Sequence, residues 1–471
     1  MPEHHKNTYD AIIIGAGMSG LVCGCYLAKA GMKVLIVEQH DKPGGYCTSF
    51  KRKGFLFDAA AHSFGSYRED GNFRKILFDL GIDKLINVKR FNPSDIIITP
   101  DFKITFWNNS NDTINNLIHT FPSDKDGIIK YYDYCKSLAS TNKLENIKLR
   151  NKTFADLLKS FFANSKLSNS ISFPVFGNGG LPPSLMHAFT GTKIFNEFLI
   201  DGGYYTEGGI QRLPDAFVQM IRQNKGTILY RKLVKKILIK DDRAVGIESD
   251  DNESFFAKYV VSACDITQTF KTFLSHYTID KQFIDKLEKM IPSISTFTLY
   301  IGIDKQFREL PQEGVNTWYL PYYDLDEIFN FVESYNLDNF GGGGFMLRVS
   351  PDKRTILAFC ITSYKTDLFW KQNKKKIADD FLNRIEKVVP NLKKHIVYFD
   401  AATPSTQYRY TLNYKGANYG WAPTQSQLFD ADFRQKAFIK GLYLTGHWTT
   451  QTHGIPGVSY LGYETANHIL K

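Results

Sequence analysis

Tyr9-Asp10-Ala11-Ile12-Ile13-Ile14 runs directly into Gly15-Ala16-Gly17-Met18-Ser19-Gly20, and this junction decides the fold. The apolar run is short and isoleucine-rich, as in a strand buried on both faces. A helical stretch follows to about Ala30, and Lys33-Val34-Leu35-Ile36-Val37-Glu38 reads as a second buried strand. Strand, glycine turn, helix and strand is the context in which GxGxxG binds a dinucleotide. Gly15 permits the tight turn, Gly17 lets the backbone approach a pyrophosphate, and Gly20 lets helix and strand pack closely. The helix N-terminus offers free N–H groups to the phosphates. Glu38 ends the second strand, where its carboxylate can accept both ribose hydroxyls. Ala11 to Ala28 carries no charge, yet its glycines at 15, 17, 20 and 24 fit strand, turn and helix better than a membrane span.

Outward from that junction, the 471 residues carry a net charge of +10, 43% hydrophobic and 14% aromatic residues. Such a chain buries a core and is not disordered. Aromatic excess with positive charge fits nucleic acid, an anionic membrane surface or a large apolar ligand. Basic residues are scattered and no nucleic-acid module is recognisable, so no nucleic-acid partner is expected. Met1 to Asp10 has no apolar core of a signal peptide, and Cys23, Cys25, Cys47, Cys135, Cys264 and Cys360 form no disulfide framework. Cys23 and Cys25 point to different helix faces, so no metal site is expected. The expected location is cytoplasmic, peripheral on the inner face of a membrane.

The next segment identifies the dinucleotide through a resemblance. Pro43-Gly44-Gly45-Tyr46 and Gly54-Phe55-Leu56-Phe57-Asp58, after GxGxxG and Glu38, resemble the FAD-binding oxidoreductases of the phytoene desaturase, carotenoid isomerase and retinol saturase group. The resemblance covers most of the chain. It implies FAD, held by Gly15, Ala16, Gly17, Met18, Ser19, Gly20, Glu38, Gln39, Gly44, Gly45 and Tyr46, and by Val234, Gly446, His447, Gly457 and Val458 farther on. Two departures stand out. Tyr46 replaces the arginine that often follows the double glycine, and Ala60 and His62 replace a glycine-rich continuation.

Two later blocks extend the likeness. Tyr205-Thr206-Glu207-Gly208-Gly209 opens a helix through about Gln223, Ile228 to Ile237 reads as a strand, Asp241-Asp242 as a turn, and Tyr259 to Cys264 as a buried strand. The resemblance implies that the Val234 backbone meets the adenine and that the Gly208-Gly209 loop lies near the flavin. Gly441 to His447 reads as a strand, Gly454 to Val458 as a turn, and Ser459 to Leu470 as a helix. In the family that helix N-terminus faces the flavin pyrimidine, and an aspartate stands where this chain has His447. The stretches Thr403 to Tyr410 and Gly416 to Trp421 match a loop beside the substrate.

These blocks predict an α/β fold: a Rossmann-type FAD-binding domain (1–90, 201–290 and 396–471) with an inserted α+β substrate domain (91–200 and 291–395), as in flavin amine oxidases and phytoene desaturases. Phe154, Leu157, Leu158, Phe161 and Phe162 form a helical apolar stripe near Lys152, Lys159 and Lys166. It suits a core helix or, with its lysines, a membrane interface. Gly341 to Gly344 reads as a flexible loop. Desaturation, saturation or isomerisation of a C–C/C=C bond in a polyene, isoprenoid or long acyl chain requires a dry tunnel beside flavin N5. His62, Glu207 and His447 are the candidate acid–base residues, with Tyr205, Trp448 and His453 as neighbours of the chemistry. No second GxGxxG provides for a resident nicotinamide, leaving oxygen, a quinone or a transient nicotinamide as electron acceptor. A flavin amine oxidase and a non-catalytic lipid- or prenyl-binding escort protein are the alternative readings.

Overall fold

The computed structural model describes residues 7–140, 149–334, 337, 339–428, 437–450 and 454–471. Its first sheet runs Val234–Lys240, Arg243–Ser249, Ser254–Ser262, Thr8–Ile14, Val34–Val37 and Thr227–Leu229, with Leu442–Leu444 also paired to Ser254–Ser262. The strands around Thr8–Ile14 are parallel, and Ile12, Ile13, Val34, Leu35 and Ile36 are fully buried. Helices cover the sheet, which is why these strands are continuous apolar runs rather than alternating ones. The helix Met18–Lys29 packs against Gly454–Leu470 and Arg212–Gln223. A Cβ on Gly24 would lie 2.8 Å from Ile36 Cδ1, and one on Gly462 2.3 Å from the Ser19 carbonyl, so glycine sets both close approaches.

The second sheet runs Ile396–Ala402, Ser295–Ile303, Thr355–Thr362, Phe345–Val349, Asn316–Tyr319, Asp95–Ile98 and Lys103–Phe106. Only the Asn316–Tyr319 and Asp95–Ile98 pair is parallel. One face carries Phe297, Leu299 and Ile301 into a core closed by the helix Asp367–Glu386. The alternate residues Thr296, Thr298 and Tyr300 face the other way, as the two-residue period of a strand requires.

Several boundaries differ from the sequence reading. Ile396–Ala402 pairs with Ser295–Ile303, so residues from 396 belong to the second sheet until Ala402. Ile228 to Ile237 is two strands of one sheet, separated where Arg231 adopts φ 55°. The last helix starts at Gly454 rather than Ser459, because Pro456 falls in its first turn, where a missing N–H costs no helical bond. Gly341 to Gly344 is a buried tight turn, with φ of 68°, 63° and 74° at its first three residues. Phe154, Leu157, Leu158 and Phe162 are buried in the core beside Tyr131 and Phe195, so this stripe serves packing, not a membrane. Among the described residues no helix is long and apolar enough to cross a membrane.

Candidate functional site

The two sheets flank an open-mouthed cavity. Its floor is made by loops that leave the C-terminal ends of the first sheet's strands, where open α/β sheets bind ligands. Gly15, Gly17, Met18 and Ser19 line it from the first turn, Gly44, Gly45 and Tyr46 from the second. Gly446, His447, Ile455 and Val458 line it from the last strand and helix, and Glu38, Gln39 and Val234 at the far end.

The bare backbone of this floor fits an extended phosphate group. A Cβ on Gly17 would meet nothing within 4 Å, and one on Gly45 only Gly17 Cα at 3.5 Å. A Cβ on Gly446 would lie 3.8 Å from Ser19 Cβ. Together the three glycines keep side chains out of a strip that begins at a helix N-terminus, whose first N–H groups have no helical partner. Gly20 and Gly44 play another part: their Cβ atoms would come within 2.2 Å of the Gly15 and Cys47 carbonyls. These two are packing glycines. Gly20, Ala16 and Gly457 do not line the cavity.

Glu38 is almost wholly buried. Its Oε2 accepts from the Ala16 N–H at 2.7 Å and its Oε1 from the His40 N–H at 2.8 Å. Burial pushes its carboxyl up, and the backbone donors pull against that shift. The carboxylate therefore braces the glycine turn as well as facing the cavity. The Tyr46 hydroxyl donates to the Ala417 carbonyl at 3.0 Å. A phenol tied to the opposite loop thus occupies the place of an arginine, which would have brought a charge.

The opposite wall is built from the second sheet and the 410–419 segment. Thr296, Thr298, Leu357 and Phe359 line it, with Asn178 and Phe198 beside them. Tyr410, Asn413, Asn418 and Tyr419 close the side. The Thr403 hydroxyl caps the short helix Pro404–Thr411 that places this segment. Trp448 Nε1 donates to Asn413 Oδ1 at 2.9 Å, locking the segment to the last strand. Sequence reasoning missed the threonines and Phe359. Their signal was present in Thr296-Phe297-Thr298-Leu299-Tyr300, whose alternation marks one polar and one apolar strand face.

His62 lines the cavity, its ring 5.8 Å from that of Phe359. Its Nδ1 donates to the Ala60 carbonyl at 3.1 Å, which fixes Nε2 as the lone-pair nitrogen of the neutral ring. Burial, then the nearby Arg348 guanidinium, lower its pKa to about 4. His447 also lines the cavity, and burial lowers its pKa to about 4. Both are neutral near pH 7, and His62 can then accept but not give a proton at Nε2. Glu207 is exposed and away from the cavity: its backbone N–H pairs with Asn87, which turns the side chain to solvent. The Gly208-Gly209 loop likewise stays off the cavity. Tyr205 is buried behind the wall, its hydroxyl donating to Asp58 Oδ2 at 2.7 Å. Trp448 lines the cavity, and His453 lies outside the described residues.

Known proteins share this architecture. The chain is 25% identical over 502 residues to an all-trans-retinol 13,14-reductase of Danio rerio, covering 93% of this chain and 82% of that protein. It is 25% identical over 498 residues to a lycopene-forming phytoene desaturase of Pantoea ananas, covering 98% of each. An oxidoreductase of Methanosarcina mazei superposes with a TM-score of 0.69 at 16% identity, over 97% of this chain and all of that one. The fold is an FAD-binding Rossmann-like fold with an inserted domain. The profile of the flavin containing amine oxidoreductases matches residues 18–470, and the chain belongs to that family.

Proposed function

We propose that the protein is an FAD-dependent oxidoreductase that desaturates, saturates or isomerises a C–C/C=C bond of a lipophilic polyene, isoprenoid or long acyl chain. The observation that carries this reading is the meeting, in one cavity, of a phosphate-sized glycine floor with the apolar side chains Leu357, Phe359, Phe198 and Ile455. FAD bound on that floor would supply a hydride acceptor or donor. Gly17, Gly45 and Gly446 would hold its pyrophosphate, and Glu38 and Val234 its adenosine end. The second sheet forms the wall opposite the floor, where Leu357 and Phe359 offer a substrate an apolar surface. His62, neutral and with Nε2 free, accepts a proton or a hydrogen bond from the substrate side.

The names of the relatives support the substrate class and leave direction open, since one is a reductase and another a desaturase. The lining carries little charge that would hold an ammonium group. Glu38 is the sole carboxylate lining the cavity among the described residues, and both its oxygens are engaged by backbone N–H groups. The sole lysine there, Lys232, is paired with Asp251 and Glu253.

The test is anaerobic. The purified protein, with flavin oxidised or reduced, is mixed with polyenes and unsaturated acyl chains. Consumption of one flavin state gives the direction, and the substrate altered gives the class. A protein that takes up no flavin, even with FAD added, removes the proposal. Peripheral contact with a cytoplasmic membrane face remains part of it, tested by sedimentation with anionic vesicles.

A further inference from the structure

The substrate-side wall is less apolar than a pure hydrocarbon needs. Thr296 and Thr298 line the cavity, and both are more than nine-tenths buried. An unpaired hydroxyl buried in such a place costs free energy, so its partners require an account.

That account has a direction. The Thr296 carbonyl can only accept, so the Gln407 group facing it at 3.1 Å is the amide nitrogen. The same nitrogen donates to Thr296 Oγ1 at 2.7 Å, while Gln407 Oε1 accepts from the Ser295 hydroxyl at 2.8 Å. Asn418 Nδ2 lies 3.2 Å from Thr296 Oγ1. The Thr296 and Thr298 hydroxyls are 3.3 Å apart and share one hydrogen bond, in which either can donate. It is the one side-chain hydrogen bond of Thr298 among the described residues, so the rest of this hydroxyl's capacity faces the cavity that Thr298 lines. Amide, hydroxyl and hydroxyl form one polar chain that ends at the cavity, and such chains polarise their members.

The neighbours of Thr298 are apolar. Phe359 is its cross-strand partner, and Leu357 stands two pairs along on the same face, opposite Tyr300. A hydrocarbon chain lying on Phe359 and Leu357 would bring one end or one substituent to the Thr298 hydroxyl. We infer that Thr298 is a specificity-determining residue: its hydroxyl, aligned by Gln407 and Thr296, anchors an oxygen atom of the substrate, so the protein takes an oxygenated lipophilic molecule (an alcohol or carbonyl compound) in preference to an unfunctionalised hydrocarbon. This rests on the lipophilic-substrate reading and narrows it.

The experiment measures binding, not turnover, through the change each ligand makes in the flavin spectrum of the FAD-loaded protein. The probes are farnesol, farnesal and farnesene, which share a chain and differ in oxygen. Farnesol or farnesal should bind about tenfold more tightly than farnesene, the worth of one hydrogen bond. Thr298→Val should abolish that difference, leave farnesene unchanged and retain full FAD. Thr298→Ser, which keeps the hydroxyl, should restore it. Equal binding of all three probes to the wild type, equal weakening of all three by Thr298→Val, or loss of FAD from that variant overturns the anchor alone. No response to any probe removes the lipophilic reading, and the anchor with it.

Discussion

Gly17 and Gly44 form a parallel bridge, and the Gly44 N–H donates to the Ala16 carbonyl at 2.8 Å. This contact joins the two glycine-rich loops into one floor, although a helix and a strand separate them in sequence. It also separates the roles of neighbouring glycines. Gly17 has φ −70° and open space where a Cβ would go, so alanine there fits the empty protein. A Cβ on Gly20 would collide with the Gly15 carbonyl. Gly17→Ala should keep the melting temperature of the apoprotein and lose FAD affinity at least about tenfold, while Gly20→Ala should lose both. Differential scanning fluorimetry with and without FAD separates the two. A Gly17→Ala variant that binds FAD normally would deny the floor its assigned role.

Glu38 offers a second test. Its carboxylate accepts two backbone hydrogen bonds, each charge-assisted and worth about 1.5–3 kcal/mol. Glu38→Gln keeps shape but gives the Ala16 or His40 N–H an amide nitrogen or a weaker neutral acceptor. We expect the apoprotein to lose about 1–3 kcal/mol of stability and FAD affinity to fall by about tenfold or more. FAD titration monitored by flavin fluorescence and urea unfolding check these values together. Unchanged stability with weakened FAD would show that the carboxylate serves the cofactor alone.

The first loop of the cavity floor was legible in the sequence because it is local. One turn, one helix start and one strand end, all between Ile14 and Glu38, line the cavity. The wall opposite was not legible. Phe359 and Thr298 meet through the pairing of strands some sixty residues apart, and only their strands' register brings them to the cavity. Glu207 failed for the opposite reason. Its loop was placed by likeness, whereas one backbone bond to Asn87 holds it at the surface. The apolar stripe at 154–162 had two readings on periodicity alone. Burial against Tyr131 and Phe195 chose packing.

The histidines give the site a pH signature. Unfolded, a histidine titrates near ~6.5. In the fold, burial holds His62 and His447 at about 4. Between those values the unfolded chain binds more protons than the folded one, so stability falls as pH drops from about 6.5 toward 4 and is complete above. The melting temperature of the wild type should therefore decline over that window more steeply than that of His62→Gln or His447→Gln. Parallel curves for wild type and both variants would contradict the burial of neutral imidazoles.

Arg348 provides the last prediction, from behind the cavity wall. It is 4% exposed, and its Nη1 donates to Asn316 Oδ1 at 2.9 Å. Asn316 Nδ2 donates in turn to Asp95 Oδ1 at 3.0 Å, which also accepts from Trp318 Nε1 at 2.9 Å. The guanidinium lies 5.3 Å from the ring centres of both Phe91 and Tyr205. Burial lowers its pKa to about 10, so it remains a cation near pH 7. Asp95 is 1% exposed; burial pushes its carboxyl up, and the hydrogen bonds from Trp318 and Asn316 pull against that more than the Arg348 charge does. Arg348→Gln should cost about 1–3 kcal/mol, because the buried Asn316 oxygen loses its charged donor. Asp95→Asn in the same chain should recover part of that loss, because the single variant leaves a buried carboxylate with one favourable neighbour fewer. The substitution also removes a positive neighbour of His62, so the imidazole should titrate higher in Arg348→Gln than in the wild type, a shift read by NMR. If the double variant is as unstable as the single one and the imidazole does not move, Arg348 acts by packing and not through its charge.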